Sequence, residues 1–419
     1  MVEKKDWDWE IESRVIVELL DCPLRYIWRE EPKVSPDGEK IAFIINEGEN
    51  KFSVCQNKTH WEEAYDKVWS LKYGPDGRLS VLALTDEGRW TVVTEQVPWE
   101  NSFDFAWELQ FSTDGSQIGV AIQNEQQYGM AVNDVLWPTL YPNANHFTLS
   151  PKGNHSAAVV QTQNLSQGDI FKYQEGVFSV AIDGQTWDTK LVNIWTPIFD
   201  HQGKHICAQC RTSLYTYTIV VDGKVWDKEF SSVWRPAFNP ATRSCMAPVR
   251  IGKKWGLAQD GEIILTPRFY QMWNFIFSPL GDSWAAIVAT DLGKWTVCIN
   301  GSTWKTHFET LVYDITFSPD GQRIAAAGKN KDKWFVLVDD QVWNESFDMV
   351  FEPVFSPDSK HLAVKVEKNG AYTYAIDGKV LPHSFDQLWM PVFSPDSKKI
   401  LLRGITENQY LRAVIPVEG

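Results

Sequence analysis

The sequence predicts an all-β fold: a β-propeller of about ten four-stranded modules, each 38–40 residues long. Three observations carry this. A Ser-Pro-Asp-Gly turn recurs at a nearly fixed interval, most of the tryptophans fall into repeated positions, and a surplus strand near the N-terminus can complete the last module.

The turns place anchors at Ser35, Gly74, Ser112, Ser150, Asp200, Asn239, Ser278, Ser318, Ser356 and Ser394. Successive anchors lie 38 to 40 residues apart, except for one interval of 50. A period of about 40 residues is the scale of a propeller blade.

Within a module, the first strand alternates large apolar with polar residues up to the turn, as in Trp389-Met390-Pro391-Val392-Phe393. Pro-Asp-Gly then supplies the fixed φ and the positive φ of a tight reversal. A small apolar second strand follows, as in Ile41-Ala42-Phe43-Ile44-Ile45. The third is aromatic and β-branched, as in Lys294 to Ile299, and ends at a hairpin turn such as Asn300-Gly301, Asp183-Gly184, Asp222-Gly223 or Asp377-Gly378. The fourth carries a Trp three residues after that glycine. No helical period competes with this pattern.

Of 21 tryptophans, 17 occupy three columns. One opens the first strand (Trp69, Trp107, Trp195, Trp234, Trp273, Trp389). Another follows the hairpin turn (Trp61, Trp99, Trp137, Trp187, Trp226, Trp304, Trp343), with Leu381 as the exception. The third column opens the third strand (Trp90, Trp255, Trp295, Trp334). Repeated positions imply repeated environments, so the rings are expected to pack between neighbouring blades. A fully buried Trp contributes about 4 to 6 kcal/mol before entropy is counted.

Two places break the pattern. The fourth module is longer by about a dozen residues, with the surplus in a polar loop at Gln161 to Asp169 between its second and third strands. The tenth module stops after its third strand at Val417, while Ser13 to Leu19 reads as an extra strand. That strand would complete the last blade and remove two exposed edges. The persistent phase and lack of a Gly/Ser/Pro linker argue for one domain over 1–419; the alternative is two fused propellers, 1–193 and 194–419.

A net charge of −14 opposes electrostatic capture of nucleic acid or of an anionic bilayer. No stretch approaches the roughly 18 uninterrupted apolar residues of a spanning helix. The start, Met1 to Glu10, has no apolar h-region, and six scattered cysteines suggest no disulfide framework; both readings favour a cytoplasmic location.

Chemistry is sparse in the sequence. Cys207-Ala208-Gln209-Cys210, preceded by His201 and His205, has a metal-like look, but on a strand residue 210 points away from residues 205 and 207. The turn acids Asp37, Asp76, Asp114, Asp320, Asp358 and Asp396 are explained by turn chemistry, and no pair stands out as a glycosidase dyad. A nucleophile elbow, P-loop and dinucleotide fingerprint are missing. The expectation is a chain with no enzymatic activity, metal or cofactor of its own.

Phe317-Ser318-Pro319-Asp320-Gly321-Gln322-Arg323-Ile324-Ala325 resembles the WD40-like repeat of TolB-type β-propellers, and Lys254-Trp255-Gly256-Leu257-Ala258-Gln259-Asp260-Gly261 resembles the Trp-Gly repeat. The turn is eroded at Gly74-Pro75, Asp200-His201 and Asn239-Pro240. The whole chain, with its tryptophan columns, also resembles the tryptophan-rich soluble (TmcD-type) subunit of the Tmc transmembrane electron-transfer complex of sulfate-reducing bacteria. That resemblance implies a non-catalytic docking or assembly subunit, peripheral to the inner membrane. Its implied partners are an iron-sulfur subunit and a membrane cytochrome b, in a complex linking periplasmic cytochrome c to cytoplasmic or quinone redox partners. Alternatives from other classes are an aromatic-rim propeller that binds glycan or peptide, and a propeller glycoside hydrolase. Partner-binding candidates are sought where modules break the pattern: Trp7, Trp9, Trp28, Trp284, Gln163, Asn164, Leu165, Gln167 and Asp169.

Overall fold

A computed structural model describes residues 4–19, 28–29, 31–48, 51–165 and 168–417. Among these, ten antiparallel sheets of four or five strands follow one another along the chain, making a β-propeller of ten blades. The eighth blade typifies them, running Leu311–Phe317, Ile324–Asn330, Lys333–Val338 and Gln341–Val342 in spatial as in sequence order. The blades fall into two compact units of five. One comprises Met1–Glu3 with Leu19–Glu229, the other Lys4–Glu18 with Phe230–Gly419. The division falls one blade later than Asn193.

The extra N-terminal strand does what its pattern predicts. Ser13–Glu18 pairs antiparallel with Gln409–Pro416, with Ser13 opposite Ala413 and Val15 opposite Leu411, and becomes the fourth strand of the tenth blade. Arg412 is 1% exposed on that third strand, and its guanidinium donates to the carbonyl of Asp8. Lys399 Nζ donates to the carbonyl of Trp9 at 2.7 Å, and at the other end of the pairing Gln409 Nε2 donates to Glu18 Oε1 at 2.8 Å.

The anchor turns owe their recurrence to one small network. In the eighth blade Ser318 Oγ donates to Asp320 Oδ1 at 2.6 Å, while the amides of Arg323 and Gln322 donate to Ser318 Oγ and Asp320 Oδ1. The same Ser-to-Asp bond recurs at Ser112–Asp114, Ser356–Asp358 and Ser394–Asp396, each 2.6 Å. Gly321 meets the turn's need for positive φ at +72°. In the last two blades serine takes that place, Ser359 at +65° and Ser397 at +63°. Each serine oxygen accepts an amide from the preceding blade, Asp320 to Ser359 at 3.1 Å and Asp358 to Ser397 at 2.9 Å.

The core is a series of inter-blade clusters. Trp304 of the seventh blade packs with Phe308 against Ile324, Ala326 and Leu337 of the eighth. Trp61 joins the first blade to the second, and Trp137 joins the third to the fourth. Trp61, Trp137, Trp226 and Trp304 are buried, and Trp99, Trp187 and Trp343 are half-buried. The post-turn column therefore packs between blades as expected. The other two columns meet each other within a blade, Trp69 stacking on Trp90 at 4.7 Å, Trp234 on Trp255 at 5.6 Å and Trp273 on Trp295 at 4.7 Å, and these stacked pairs also pack against the next blade, as where Trp69 and Trp90 meet Phe105 edge-on. Leu381 is also not the sole exception in the post-turn column. Ile264 occupies that place in the sixth blade, whose fourth strand, Glu262–Phe269, is eight residues long and covers the interface with Leu265.

One regularity carries no sequence signal. Most first strands contain a β-bulge one residue after the column position, seen as a register shift between Trp107 and Gln110 and between Tyr313 and Thr316. The bulged residue has positive φ at Glu108, His146, Asn274 and Asp314. A bulge turns one side chain out of the alternation, and here it collects polar residues.

Candidate docking site

The insert of the fourth blade lies between strands Ser156–Gln161 and Phe178–Ile182. Its second half is a short helix, Ile170–Glu175, which the strand-only reading of the sequence did not anticipate. Gln163 and Asn164 are exposed, Leu165 and Asp169 are half-buried, and Gln167 lies outside the described residues. Asp169 Oδ2 accepts from Lys172 Nζ at 3.2 Å. The polar half of the insert thus leads into an apolar one: Phe171 is 80% exposed and Ile170 61%.

The helix has a firm base. Tyr173 OH accepts from Arg211 Nη2 at 2.6 Å, and the Tyr173 ring meets Phe178 edge-on at 6.5 Å. Arg211 closes the second strand of the fifth blade, so the contact brings the helix beside that blade's own hairpin, which exposes Leu214 and Tyr215, the latter 83% exposed. Both loops occupy the same place in their modules, between second and third strands. Four large apolar side chains therefore stand in solvent on two neighbouring loops, fixed at their base by a charged hydrogen bond. Such a cluster on loops carried by a rigid scaffold has the character of an interaction site.

The remaining candidates separate. Trp7 and Trp9 stack at 6.1 Å, and Trp9 Nε1 donates to the carbonyl of Lys4 at 2.9 Å; both rings are half-buried. Trp284 opens the second strand of the seventh blade and packs against Phe275 at 5.8 Å, at the edge of the core between blades six and seven. Trp28 pairs opposite Asn46 through its backbone, and its ring lies outside the described residues. Trp9 and Trp284 are thus engaged with their own chain.

Cys207 and Cys210 are buried on opposite faces of strand Ile206–Arg211. Burial pushes the Cys210 thiol up to about 12, the wrong direction for a thiolate ligand. His205 Nδ1 is 2.7 Å from Asp222 Oδ2, bracing the hairpin turn. Among the described residues, no group of three or more His, Cys, Asp or Glu side chains is arranged to hold a metal.

One acidic pair leaves no signal in the sequence. Asp314, on the bulge of the eighth blade, is pushed up to about 6 by burial and then by the charge of Glu352, on the first strand of the ninth. The two are 38 residues apart, one module, and only the blade-to-blade stacking makes them neighbours.

No family model matches the chain, and no curated protein matches it. Among solved structures, it is similar to a crystal structure of the eukaryotic initiation factor, at 12% identity and a TM-score of 0.48, over 83% of this chain and 93% of that one. It is also similar to the β-propeller domain of Cps50 (Swd1) from Myceliophteria thermophila, at 11% identity and a TM-score of 0.31, over 64% of this chain and 97% of that one. Likeness at this level carries nothing about function. No helix among the described residues is long and apolar enough to cross a membrane.

Proposed function

We propose that the chain is an interaction scaffold, a propeller whose work is to dock and hold partner proteins. The observation that carries this reading is the exposed cluster Ile170, Phe171, Leu214 and Tyr215, braced by the Arg211–Tyr173 hydrogen bond. The finer proposal follows the resemblance to the tryptophan-rich Tmc subunit. It makes the chain a non-catalytic, cofactor-free cytoplasmic subunit of a membrane-bound respiratory electron-transfer complex, seated beside an iron-sulfur subunit and a membrane cytochrome b. Tryptophan is a poor low-potential carrier, so the columns serve packing and the partners hold the redox groups. Affinity purification from gently solubilised source membranes tests this. Co-purification of haem-bearing and iron-sulfur subunits supports it, and recovery of the chain alone counts against it.

A second reading has one observation in its favour. A carboxyl held near pKa 6 beside another carboxylate has the character of a glycosidase acid, and Asp314 with Glu352 fits that description. Turnover of any member of a glycoside panel, abolished by Asp314→Asn, would favour hydrolysis over docking. The glycan-binding reading loses its main support, because none of the seven post-turn tryptophans is exposed.

A further inference from the structure

The repeat makes one cavity interpretable. In the seventh blade, Trp304 follows the hairpin turn and lies on Phe308 of its own blade and on Ala326 and Leu337 of the next, a cross-strand pair. The same offsets in the ninth and tenth blades give Leu381, Phe385, Leu402 and Ala413, and Leu402 again stands opposite Ala413. Where Val342 completes the outer edge beside Leu337, the smaller Ser13 stands beside Ala413. Side chains are thus reduced at both the ring position and the outer edge.

The result is a cavity of about 570 Å³, lined on its apolar walls by Leu381, Phe385, Leu402, Leu411, Ala413 and Ile415. His383 and Glu407 line it too and are exposed, which places them at its mouth. Ligand pockets in proteins run to roughly 300–1,000 Å³, and an apolar cavity of roughly 150 Å³ already binds benzene. In the sixth blade, whose hairpin turn is also followed by no Trp, the eight-residue fourth strand fills the interface with Leu265. The ninth blade has only the two-residue fourth strand Lys379–Val380 and no such filling.

We propose that this cavity is a binding site for an aromatic ring of the indole class, which enters between the ninth and tenth blades and takes the place that Trp304 fills in the seventh. Seven modules seat an indole at this position, and Phe385 repeats the ring that Phe308 offers Trp304, while Leu402 and Ala413 exchange the sizes of Ala326 and Leu337 beneath it. The aromatic ring supplies the dispersion contacts and apolar burial that Leu381 leaves unmade. At the mouth, the Glu407 carboxylate is an acceptor suited to an N–H at the ring's edge. The ring can belong to a free small molecule or to a tryptophan side chain of a peptide.

The test uses the full chain and 5-fluoroindole followed by ¹⁹F NMR, because 21 intrinsic tryptophans obscure fluorescence. Saturable binding is expected for the wild-type protein, with nuclear Overhauser contacts from the ring to the methyls of Leu381, Leu402 and Leu411. Leu381→Trp, which restores the repeat's own side chain, should weaken binding at least tenfold and raise the thermal midpoint. Should L381W fail to fold, Ala413→Phe narrows the opposite wall and should weaken binding in the same way. Binding of N-acetyl-tryptophanamide as strong as that of 5-fluoroindole identifies a peptide side chain as the natural occupant; binding of 5-fluoroindole alone identifies a free small molecule. No saturable binding at millimolar 5-fluoroindole overturns the proposal, as does binding without contacts to those methyls or binding that L381W leaves unchanged in folded protein.

Discussion

Replacing Trp137 by alanine probes the packing on which the blade series depends. The ring is 6% exposed and lies in the cluster joining the third blade to the fourth, with Tyr141, Phe147, Ala158 and Val160. Its Nε1 donates to Ser156 Oγ at 2.8 Å, and that hydroxyl in turn donates to Asp183 Oδ1 at 3.1 Å. Truncating a buried Trp costs about 3–5 kcal/mol through lost transfer energy and the cavity left behind. A lost buried hydrogen bond adds about 1 kcal/mol. Trp137→Phe separates the terms, since it keeps most of the ring and removes the N–H, and should cost about 1–2 kcal/mol. Urea unfolding followed by far-ultraviolet circular dichroism reads both variants. Because a repeat array need not unfold in one step, the first transition is the one compared. A loss below about 1 kcal/mol for W137A would show that the columns do not hold blades together.

Other predictions follow from the turns, the acidic pair and the insert. Ser112 and Ser116 hold Asp114 down at about 2, and the turn serines likewise lower Asp320, Asp358 and Asp396. Folded values below the unfolded one, about 3.9, mean stability that is present above about pH 4 and lost as pH falls toward 2, so the urea midpoint should drop across that window; a flat profile there contradicts the turn network. Asp314 has the opposite sign. Its folded value near 6 favours folding below about pH 4 and opposes it as pH rises past 6, so Asp314→Asn should stabilise the protein at pH 7 by about 1 kcal/mol once solvent screening is allowed for, with no gain at pH 3. Ser359→Ala keeps the positive φ but removes the acceptor for the Asp320 amide, costing about 1–2 kcal/mol, whereas Ser359→Gly loses that bond and relieves the backbone, leaving stability nearly unchanged by the same assay. Tyr173→Phe should speed proteolytic nicking within residues 168–177 while leaving the global unfolding midpoint in place, and equal rates would show that the Arg211 contact does not brace the helix.

The propeller was legible because each of its signals is local and repeated. Ser318, Asp320 and Gly321 specify a turn from their own side chains, and the surplus strand at Ser13 shows as one β-run too many against one module too short. Features that depend on neighbouring blades were not legible. Asp314 and Glu352 are unremarkable until stacking places them together, and the bulge that carries Asp314 leaves no mark in the alternation of Tyr313 to Phe317. The Ile170–Glu175 helix is too short to show a period. The readable signal is Ile170-Phe171, an apolar pair inside an insertion whose first half is polar. The tryptophan columns are legible as architecture, yet a ring's column does not reveal that it stacks on a partner in its own blade as well as on the next one, as Trp69 does on Trp90 and Phe105. Leu381 was visible only as an exception, and its consequence is spatial.

The central claim is that the chain works by holding partners at the fourth-blade insert. Its most direct test is affinity purification from gently solubilised source membranes, comparing the wild-type chain with a Phe171→Asp variant, whose exposed position leaves the fold intact. The docking account predicts that wild-type chain returns with stoichiometric haem-bearing and iron-sulfur subunits, and that F171D, equally folded, returns without them. Wild-type chain recovered alone, or partners retained undiminished by F171D, would contradict it.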